Sequence, residues 1–495
     1  MVKVKNPEIP DFAGDYILEN VVLTNHKGQK VDVKEIMDEM NIYESIYKNA
    51  VTGSIVLTDS TNLIARMSIQ GLERLSFHLK TPGKSYGRED VVDATEETGE
   101  PFHIYKITDR KQANQGLIVY TLHFASREFM RNMRTKVSQA YDGKYDRAVI
   151  NIMKDPEYLD SRKKLHYEPT GNANKIVIPN LMPFDAINMI AKKSMADKSR
   201  GVGYYFYETT SGYHFRSWQS MITNQGNFPR PQRQDFYYQP LKMENEFYAT
   251  KQDKVERVFQ SVQEYQFVNN FHDVVANTTL GTYGHRVISY NMFDKNYDVS
   301  DYNFHNQFDK TPHTDTVGTS ANNKYPIMDT PVDYDNAKGI SDYKESRVSL
   351  QTTSPFLHDK DVGRYGLDAL QDGEKTGEQV SQSNQVTQGT ALLLTVKGQS
   401  HLEPGNLIRF HLKDINVIAG KEGNPTDPRF SGNYIITKVR HIVHLDDYKM
   451  ILECVKDSVA TPQDSLSQGQ RQHGNVHTPN RSEIELEELD GDIGR

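Results

Sequence analysis

The chain has only one cysteine and one tryptophan among its 495 residues. The lone Cys454 excludes an internal disulfide framework and a cysteine-based zinc cluster, and it fits folding in a reducing cytoplasm. We expect Cys454 to be a small buried hydrophobic side chain. No stretch approaches about 18 consecutive apolar residues, and residues 1–10 contain no apolar core. The sequence therefore predicts neither a membrane span nor a signal peptide.

Motifs of the common enzyme classes are also missing. The chain has no G-x-S-x-G, Walker loop, H-E-x-x-H or Rossmann glycine pattern. Gly201-Val-Gly203 lacks a third glycine and precedes a predicted strand, so we interpret it as a turn that leads into a hairpin. The 66 acidic residues do not identify a glycosidase pair, which needs two carboxyl groups at a set separation in a cleft. We expect no catalytic residues, no cofactor and no enzymatic activity.

Three histidine patterns are candidates for a metal site or a general base. His441 and His444 lie three residues apart in a predicted strand, where side chains alternate, so their rings should point to opposite faces. The neighbours His272-Asp273 would not face each other on a helix. His313-Thr-Asp315 lies in a polar stretch that offers no obvious further ligand. We therefore predict no metal site.

The charge balance does not favour nucleic-acid binding. The formal net charge is −8, which opposes general binding to phosphate, although an acidic wall could face DNA without holding it. The basic clusters Arg127–Arg134 and Arg230/Arg233 are modest and are typical of a solvated helix face or an interface rim. DNA is therefore expected at most as a transient neighbour.

Apolar residues are scarce, whereas tyrosine is abundant. Hydrophobic residues make up 36% of the chain, below the share of about 45–50% in typical globular proteins, and there are 28 Tyr and 20 Phe. Tyrosine is favoured at protein interfaces and also in strands. The composition therefore leaves two alternatives open, a chain that buries its surface against partners and a plain β-rich chain.

Strand and helix patterns divide the chain, whose length predicts two to four domains. The pattern up to Phe124 predicts a β-barrel or sandwich, with a helix or a turn around 33–40; an α+β segment follows, helical from Ser126 through Val137 and again over 145–155. Pro183 should begin an amphipathic helix. Strand patterns return before residue 295 and again from Ala391.

These patterns predict three domains, at 1–125, at 126–235 and at 236–295 plus 385–460. A polar extended insertion is predicted at 296–384, and a disordered acidic tail at 461–495. The tail residues Ile484, Leu486 and Leu489 could dock on a neighbour.

Two neighbouring segments near the C-terminal end have a recognisable pattern of strands and turns. Val396–Phe410 contains a Glu403-Pro-Gly405 turn between strands, and Phe430–His441 contains a Gly-Asn-Tyr strand that runs into a basic and histidine-containing strand. Pro404 presets φ and Gly405 permits the chain reversal. Four further segments extend the pattern: Ile42–Tyr47, Val51–Leu57, Gly71–Lys80 and Gly281–Tyr290. The order of all six segments along the chain resembles that in the baseplate hub proteins of contractile-tailed, T-even-like bacteriophages.

This resemblance implies a fold and a function. It implies two tube-like β-barrel domains, so that with the α+β insert and the extended polar insertion predicted above the fold class is α+β and β-rich. The insertion at 296–384 and the tail after residue 460 depart from the shortest members of the family. It further implies a homotrimer that joins a sixfold tail-tube protein above to a threefold spike protein below, among other baseplate components, and that forms part of the DNA channel. The protein would then be located in the virion, after assembly in the host bacterial cytoplasm, without a membrane anchor.

Two other functions remain open from the sequence. A tail-associated cell-wall hydrolase would also be rich in strands, and so would a receptor-binding or carbohydrate-binding module. The missing catalytic motifs argue only against the hydrolase.

Overall fold

The computed structural model describes residues 13–82, 91–96, 100–114, 116–171, 173–199, 201–223, 233–238, 255, 257–269, 273–291, 295–315, 324–329, 338–353, 373–413, 426–445 and 447–461. The strands in these residues are β1 Ile17–Thr24, β2 Lys30–Asp32, β3 Met37–Ser45, β4 Thr52–Asp59, β5 Arg74–Lys80, β6 Val91–Asp93, β7 Phe102–Asn114, β8 Leu117–Ala125, β9 Val137–Lys144, β10 Leu165–Tyr167, β11 Ala173–Leu181, β12 Tyr204–Thr209, β13 Gly212–Ser217, β14 Gln234–Tyr238, β15 Ser261–Asn269, β16 Gly284–Asn291, β17 Asn296–Asn303, β18 Val348–Thr353, β19 Thr390–Lys397, β20 Leu407–His411, β21 Gly432–His444 and β22 Tyr448–Lys456. The α-helices are α1 Leu63–Met67, α2 Arg127–Asn132, α3 Tyr145–Lys154, α4 Pro183–Lys193, α5 Trp218–Thr223, α6 Val274–Thr279, α7 Phe304–Phe308 and α8 Gly373–Gln388.

The N-terminal β-domain is an antiparallel sheet in the order β2-β1-β5-β7-β8-β4-β3, with β6 alongside β5. Its apolar side chains alternate along the strands, so one face of the sheet is buried, with Ile55, Phe77 and Phe124 fully enclosed. Of the two alternatives predicted around residues 33–40, the turn is correct. A single 3-10 turn at Lys34–Ile36 precedes β3, which begins at Met37.

The insert between the two β-domains has a core of its own. Helices α3 and α4 pack with β9, β11, β12 and β13 around Val149, Ile187 and Phe215. Pro183 is the first residue of α4, as predicted, because its missing N–H is not needed there. The helix predicted through Val137 is shorter than expected. It ends at Asn132, and Val137 begins a strand that pairs with β11, burying its side chain.

The C-terminal β-domain is a closed barrel of six strands. The ring runs β21-β20-β14-β15-β19-β22, and the pairing of β21 with β22 closes it. Strand β14 is parallel to both of its neighbours, and the other pairs are antiparallel. Its core is continuous with that of the N-terminal β-domain, so that Phe124 and Tyr434 belong to one hydrophobic cluster.

A smaller module interrupts the sequence of this barrel. We use the name insertion module for the described residues between 273 and 388, which contain the three-stranded sheet β17-β16-β18, α6, α7 and α8. Strand β16, which the sequence pattern grouped with the barrel, pairs with β17 and β18 instead, because a strand pattern does not indicate its partner. The region predicted as extended therefore contains folded elements around a small aromatic core, which includes Tyr302 and Phe308.

The architecture is α+β and β-rich, as predicted. One continuous sheet of 14 strands runs through both β-domains. The domain boundaries predicted from the sequence remain a proposal. The predicted acidic tail lies outside the described residues except for Thr461.

Candidate functional site: the junction of the β-domains

The two β-domains meet edge to edge through β3 and β21. Seven antiparallel residue pairs join them, from Lys438↔Ser45 to His444↔Glu39. Arg440 reinforces the joint, since its Nε donates to Oδ1 of Asn41 at 2.9 Å and its guanidinium lies 5.7 Å from the centre of the Tyr43 ring. Two segments that carry the family resemblance, 42–47 and 430–441, are far apart in sequence but contribute to adjacent strands of one sheet.

A buried polar group lies at the centre of this joint. His441 and Glu44 are both fully buried, with Nε2 of His441 3.8 Å from Oε1 of Glu44. Nδ1 of His441 is hydrogen-bonded to the Tyr448 hydroxyl at 2.7 Å. Burial raises the pKa of Glu44 well above its usual range, with Glu403 adding to the effect, and burial lowers the pKa of His441 to about 4. The His441 ring is therefore neutral at pH 7, and burial favours the protonated form of Glu44.

The turn of the β12–β13 hairpin, which belongs to the insert, forms hydrogen bonds with both β-domains at this joint. The Thr210 backbone N–H donates to Oε1 of Glu44 at 3.1 Å, and the Ser211 hydroxyl donates to Oε2 of Glu403 at 2.9 Å. Glu403 belongs to the predicted Pro-Gly turn, in which Gly405 has φ of +89°. The Gly405 backbone lies against the Tyr207 hydroxyl, where a Cβ atom would collide. The insert is therefore held by both β-domains.

A second polar cluster fixes the insert to the N-terminal β-domain. Lys163 bridges Glu128 and Glu208, whose side chains are almost completely buried. Burial alone would lower the pKa of Lys163, but Glu208 and Glu128 raise it above its usual range, so the lysine is charged. Oε2 of Glu208 also accepts from the backbone N–H of Val51 at 2.8 Å. A charged network of this kind orients elements because each member is costly to leave unpaired.

The insertion module is attached to the barrel through His313, Thr314 and Asp315. Nδ1 of His313 lies 2.9 Å from Oδ2 of Asp457, and the Thr314 backbone and hydroxyl both donate to Oδ1 of Asp457 at 2.9 Å. Oδ1 of Asp315 accepts from the Asn433 backbone N–H at 2.8 Å. His313 and Asp315 are brought to the same region, but their contacts attach the module to β21 and the end of β22.

The other sequence candidates are dispersed. His444 is 47% exposed while His441 is fully buried, which confirms that they face opposite sides. Gly201 and Gly203 directly precede β12, as predicted for a turn leading into a hairpin. His272 lies outside the described residues, and Asp273 caps α6 by accepting from the Ala276 backbone.

The basic residues and the cysteine also have structural surroundings. Arg127 is paired with Asp160, and Arg131 donates to backbone carbonyls of the insert. Arg230 lies outside the described residues, and Nη1 of Arg233 is 3.4 Å from Oδ1 of Asn433. Cys454 is buried as predicted, and burial raises the pKa of its thiol.

Sequence reasoning missed the buried polar residues at the joint and in the second polar cluster. Glu44, Glu208 and Lys163 look like ordinary charged residues of strands and loops, and no local pattern distinguishes them from exposed ones. In the part of the chain that the structure describes, no group of three or more His, Cys, Asp or Glu residues could hold a metal ion. None of the described helices is both long enough and apolar enough to cross a membrane.

Two solved structures that superpose on this chain are those of tail proteins. The 43 kDa tail protein of prophage MuSo2 from Shewanella oneidensis superposes with a TM-score of 0.46 at 9% identity, covering 90% of this chain and 99% of that one. The tail protein from Neisseria meningitidis MC58 gives 0.46 at 10% identity, covering 89% and 97%.

A third structure is an E. coli component of the type VI secretion system, described as similar to the T4 bacteriophage tail proteins gp27 and gp5. It gives a TM-score of 0.38 at 10% identity, covering 85% of this chain and 73% of that one. No protein-family model and no curated protein matches the chain.

Proposed function

We propose that this chain is the structural hub of a contractile-tail baseplate in a bacteriophage. Three copies would form a ring that adapts a sixfold tail tube to a threefold spike, and the ring would enclose part of the DNA channel. The observation that carries the proposal is the β3–β21 joint, which unites the resembling segments 42–57 and 430–441 in one continuous sheet.

The joint supports the proposal because it fixes the number and the orientation of the β-domains. Each chain presents two β-domains as one unit, so a threefold ring would present six of them to a tail tube. A closed ring needs repeated, self-consistent interfaces, and these are easiest to build from units that do not move internally. The interdomain pairing and the buried group around Glu44 and His441 favour such rigidity.

The proposed mechanism is symmetry matching rather than chemistry. Partners would be two further copies of this chain, the tail-tube protein, the spike protein and other baseplate components. The net charge of −8 favours a channel that lets DNA pass without retaining it, since like charges repel. The protein would be located in the virion after assembly in the bacterial cytoplasm.

The test is the mass and shape of the purified full-length chain, alone and with its spike protein. Light scattering should give a mass of three chains, and electron microscopy should show a threefold ring with a central hole. Monomers or dimers in both samples would overturn the proposal. Peptidoglycan turnover or glycan binding by the monomer would favour the hydrolase or the receptor-binding alternative.

A further inference from the structure

One face of the three-stranded sheet in the insertion module is apolar and exposed. Tyr297 is 72% exposed, Leu350 71%, Val348 51% and Val299 45%. Cross-strand pairs connect them through β16, with Ile288 paired to both Val299 and Leu350. We call these five residues the apolar face.

The opposite side of the same sheet is already covered. His285 and Val287 are buried there, and helix α8 packs against β16 and β17. The Ser381 hydroxyl on α8 donates to the backbone carbonyl of Thr282 at 2.8 Å. A sheet with one covered side and one apolar exposed side resembles an interface that lacks its partner.

The apolar face has little free charge to attract a partner. At its end lies Arg286, which is already paired with Asp301 at 2.8 Å and with Glu345 at 3.0 Å. Whatever binds here must therefore do so mainly through apolar contact. Such binding depends only weakly on salt, because screening acts on charges.

The described part of the chain ends beside this module. The Val459 backbone N–H donates to the carbonyl of Lys324 at 3.1 Å, and the next residue, Tyr325, packs on the module's aromatic core. Residues 462–495 follow, and they contain Glu483-Ile-Glu-Leu-Glu487. In an extended segment, Ile484 and Leu486 would share one side while the glutamates point the other way.

The chain that follows Thr461 is long enough to give this segment a wide reach. About 23 residues separate Thr461 from Ile484, and a flexible linker of that length spans roughly 26 Å on average. Tethering would hold the segment near the module at a millimolar-scale effective concentration, so that a small apolar contact suffices.

We propose that the segment Glu483–Glu487 docks on the apolar face of its own chain, with Ile484 and Leu486 against Leu350, Val299 and Tyr297. The C-terminal segment then acts as a cover for the module and shields an apolar surface from other proteins until it is displaced. This inference does not depend on the proposed hub function.

Thiol labelling of the full-length chain tests the docking. The native Cys454 is fully buried and should stay silent, so Val348→Cys provides a single reporter on the apolar face. Leu72→Cys is the matched reporter, because Leu72 is 56% exposed and lies in the N-terminal β-domain. Reaction with N-ethylmaleimide is followed by intact mass spectrometry.

The expected result is slow labelling of the Val348→Cys reporter, at least fivefold slower than the Leu72→Cys reporter. Combining it with Ile484→Asp and Leu486→Asp should accelerate labelling at least fivefold, while the Leu72→Cys rate stays constant. Glu483→Gln with Glu485→Gln, which spares the apolar side chains, should leave the reporter protected. Protection should also persist from 0.05 to 0.5 M NaCl.

Three outcomes would overturn the proposal. Fast labelling of the Val348→Cys reporter with the native tail would mean that the apolar face is open. Slow labelling that is unchanged by the aspartate substitutions would mean that something other than the Glu483–Glu487 segment covers the apolar face. If that protection is lost on dilution, the covering partner is a second copy of the chain. Protection that disappears in salt would replace apolar docking with a charge interaction.

Discussion

Nε2 of His441 lies 3.8 Å from Oε1 of Glu44, in the middle of the strand pair that joins the two β-domains. Neither this nitrogen nor Oε2 of Glu44 has a hydrogen-bond partner among the described residues. Burial favours the neutral form of each, so it lowers the pKa of the imidazole and raises that of the carboxyl group. The two groups should therefore give opposite dependences of stability on pH.

His441 should make the protein less stable in acid. Its pKa falls from about 6.5 in the unfolded chain to about 4 in the fold, so its contribution is complete above pH 6.5 and is lost as the pH falls towards 4. The loss is about 3 kcal/mol. In His441→Gln, the stability difference from the native protein should shrink between pH 7.5 and 4.5, as measured by urea unfolding.

His444→Gln is the control for this substitution, since His444 is on the same strand and half exposed. Its unfolding free energy should follow that of the native protein at each pH. Parallel curves for His441→Gln and the native protein would show that the buried imidazole does not titrate as described.

Glu44 should have the opposite effect. Its raised pKa means that the folded protein holds a proton that the unfolded chain has released. The stabilisation from this group is complete below the unfolded value of about 4.3 and is lost as the pH rises through the folded value. The stability of Glu44→Gln relative to the native protein should therefore increase from pH 5 to pH 8. Glu39→Gln, on the same strand but partly exposed, should show no such trend in thermal unfolding.

Asp457→Asn should loosen the insertion module. Burial would raise the pKa of Asp457, but the His313 ring and the hydrogen bonds from Thr314 together hold it below its usual range. At pH 7 the substitution should cost about 2–4 kcal/mol, because a buried, hydrogen-bonded carboxylate is removed. The difference should shrink as the pH falls through the folded pKa, where the native carboxylate takes up a proton.

Urea unfolding and limited proteolysis of the module would measure this change. Asp309→Asn, in the same module but exposed, is the control and should behave like the native protein. Equal proteolysis of the Asp457→Asn and native proteins would contradict a fastening role for Asp457.

Gly405→Ala should be more damaging than its backbone angle alone explains. Gly405 has φ of +89° and Gly28 has φ of +78°, yet only Gly405 is crowded, by the Tyr207 hydroxyl. The strain of a left-handed alanine is about 1–2 kcal/mol at either site. We expect Gly28→Ala to lose only that amount and Gly405→Ala to lose about 1–3 kcal/mol more, because of overpacking. If Gly405→Ala and Gly28→Ala lose equal stability in thermal unfolding, the Tyr207 side chain moves away from the added methyl group without cost.

Local patterns predicted the second β-domain well. The sequence predicts that strand patterns return from Ala391, and β21 at Gly432–His444 and β22 at Tyr448–Lys456 confirm this, because alternating apolar residues between Gly-containing turns leave few alternatives. The Pro-Gly turn is also predictable from the sequence, because its conformation depends mainly on its own residues.

Features that depend on distant partners were not predictable in this way. Strands β3 and β21 are separated by nearly 400 residues, and neither strand's pattern names the other. Helix α8 was missed because most of the side chains that it buries, including Ser381, Gln382 and Gln385, are polar, so no apolar stripe marks it. Ser381 and Gln385 are hydrogen-bonded there. The same applies to Glu44, whose burial is decided by elements that pack around it.

The edge-to-edge joint between the β-domains has a mechanical consequence. A pull directed along β3 and β21 loads the hydrogen bonds of their seven residue pairs together, in shear. A pull across the strands would break these hydrogen bonds one pair after another. In shear, the hydrogen bonds must fail almost simultaneously. A chain built in this way can transmit a pull along these strands from one β-domain to the other with little lengthening between them.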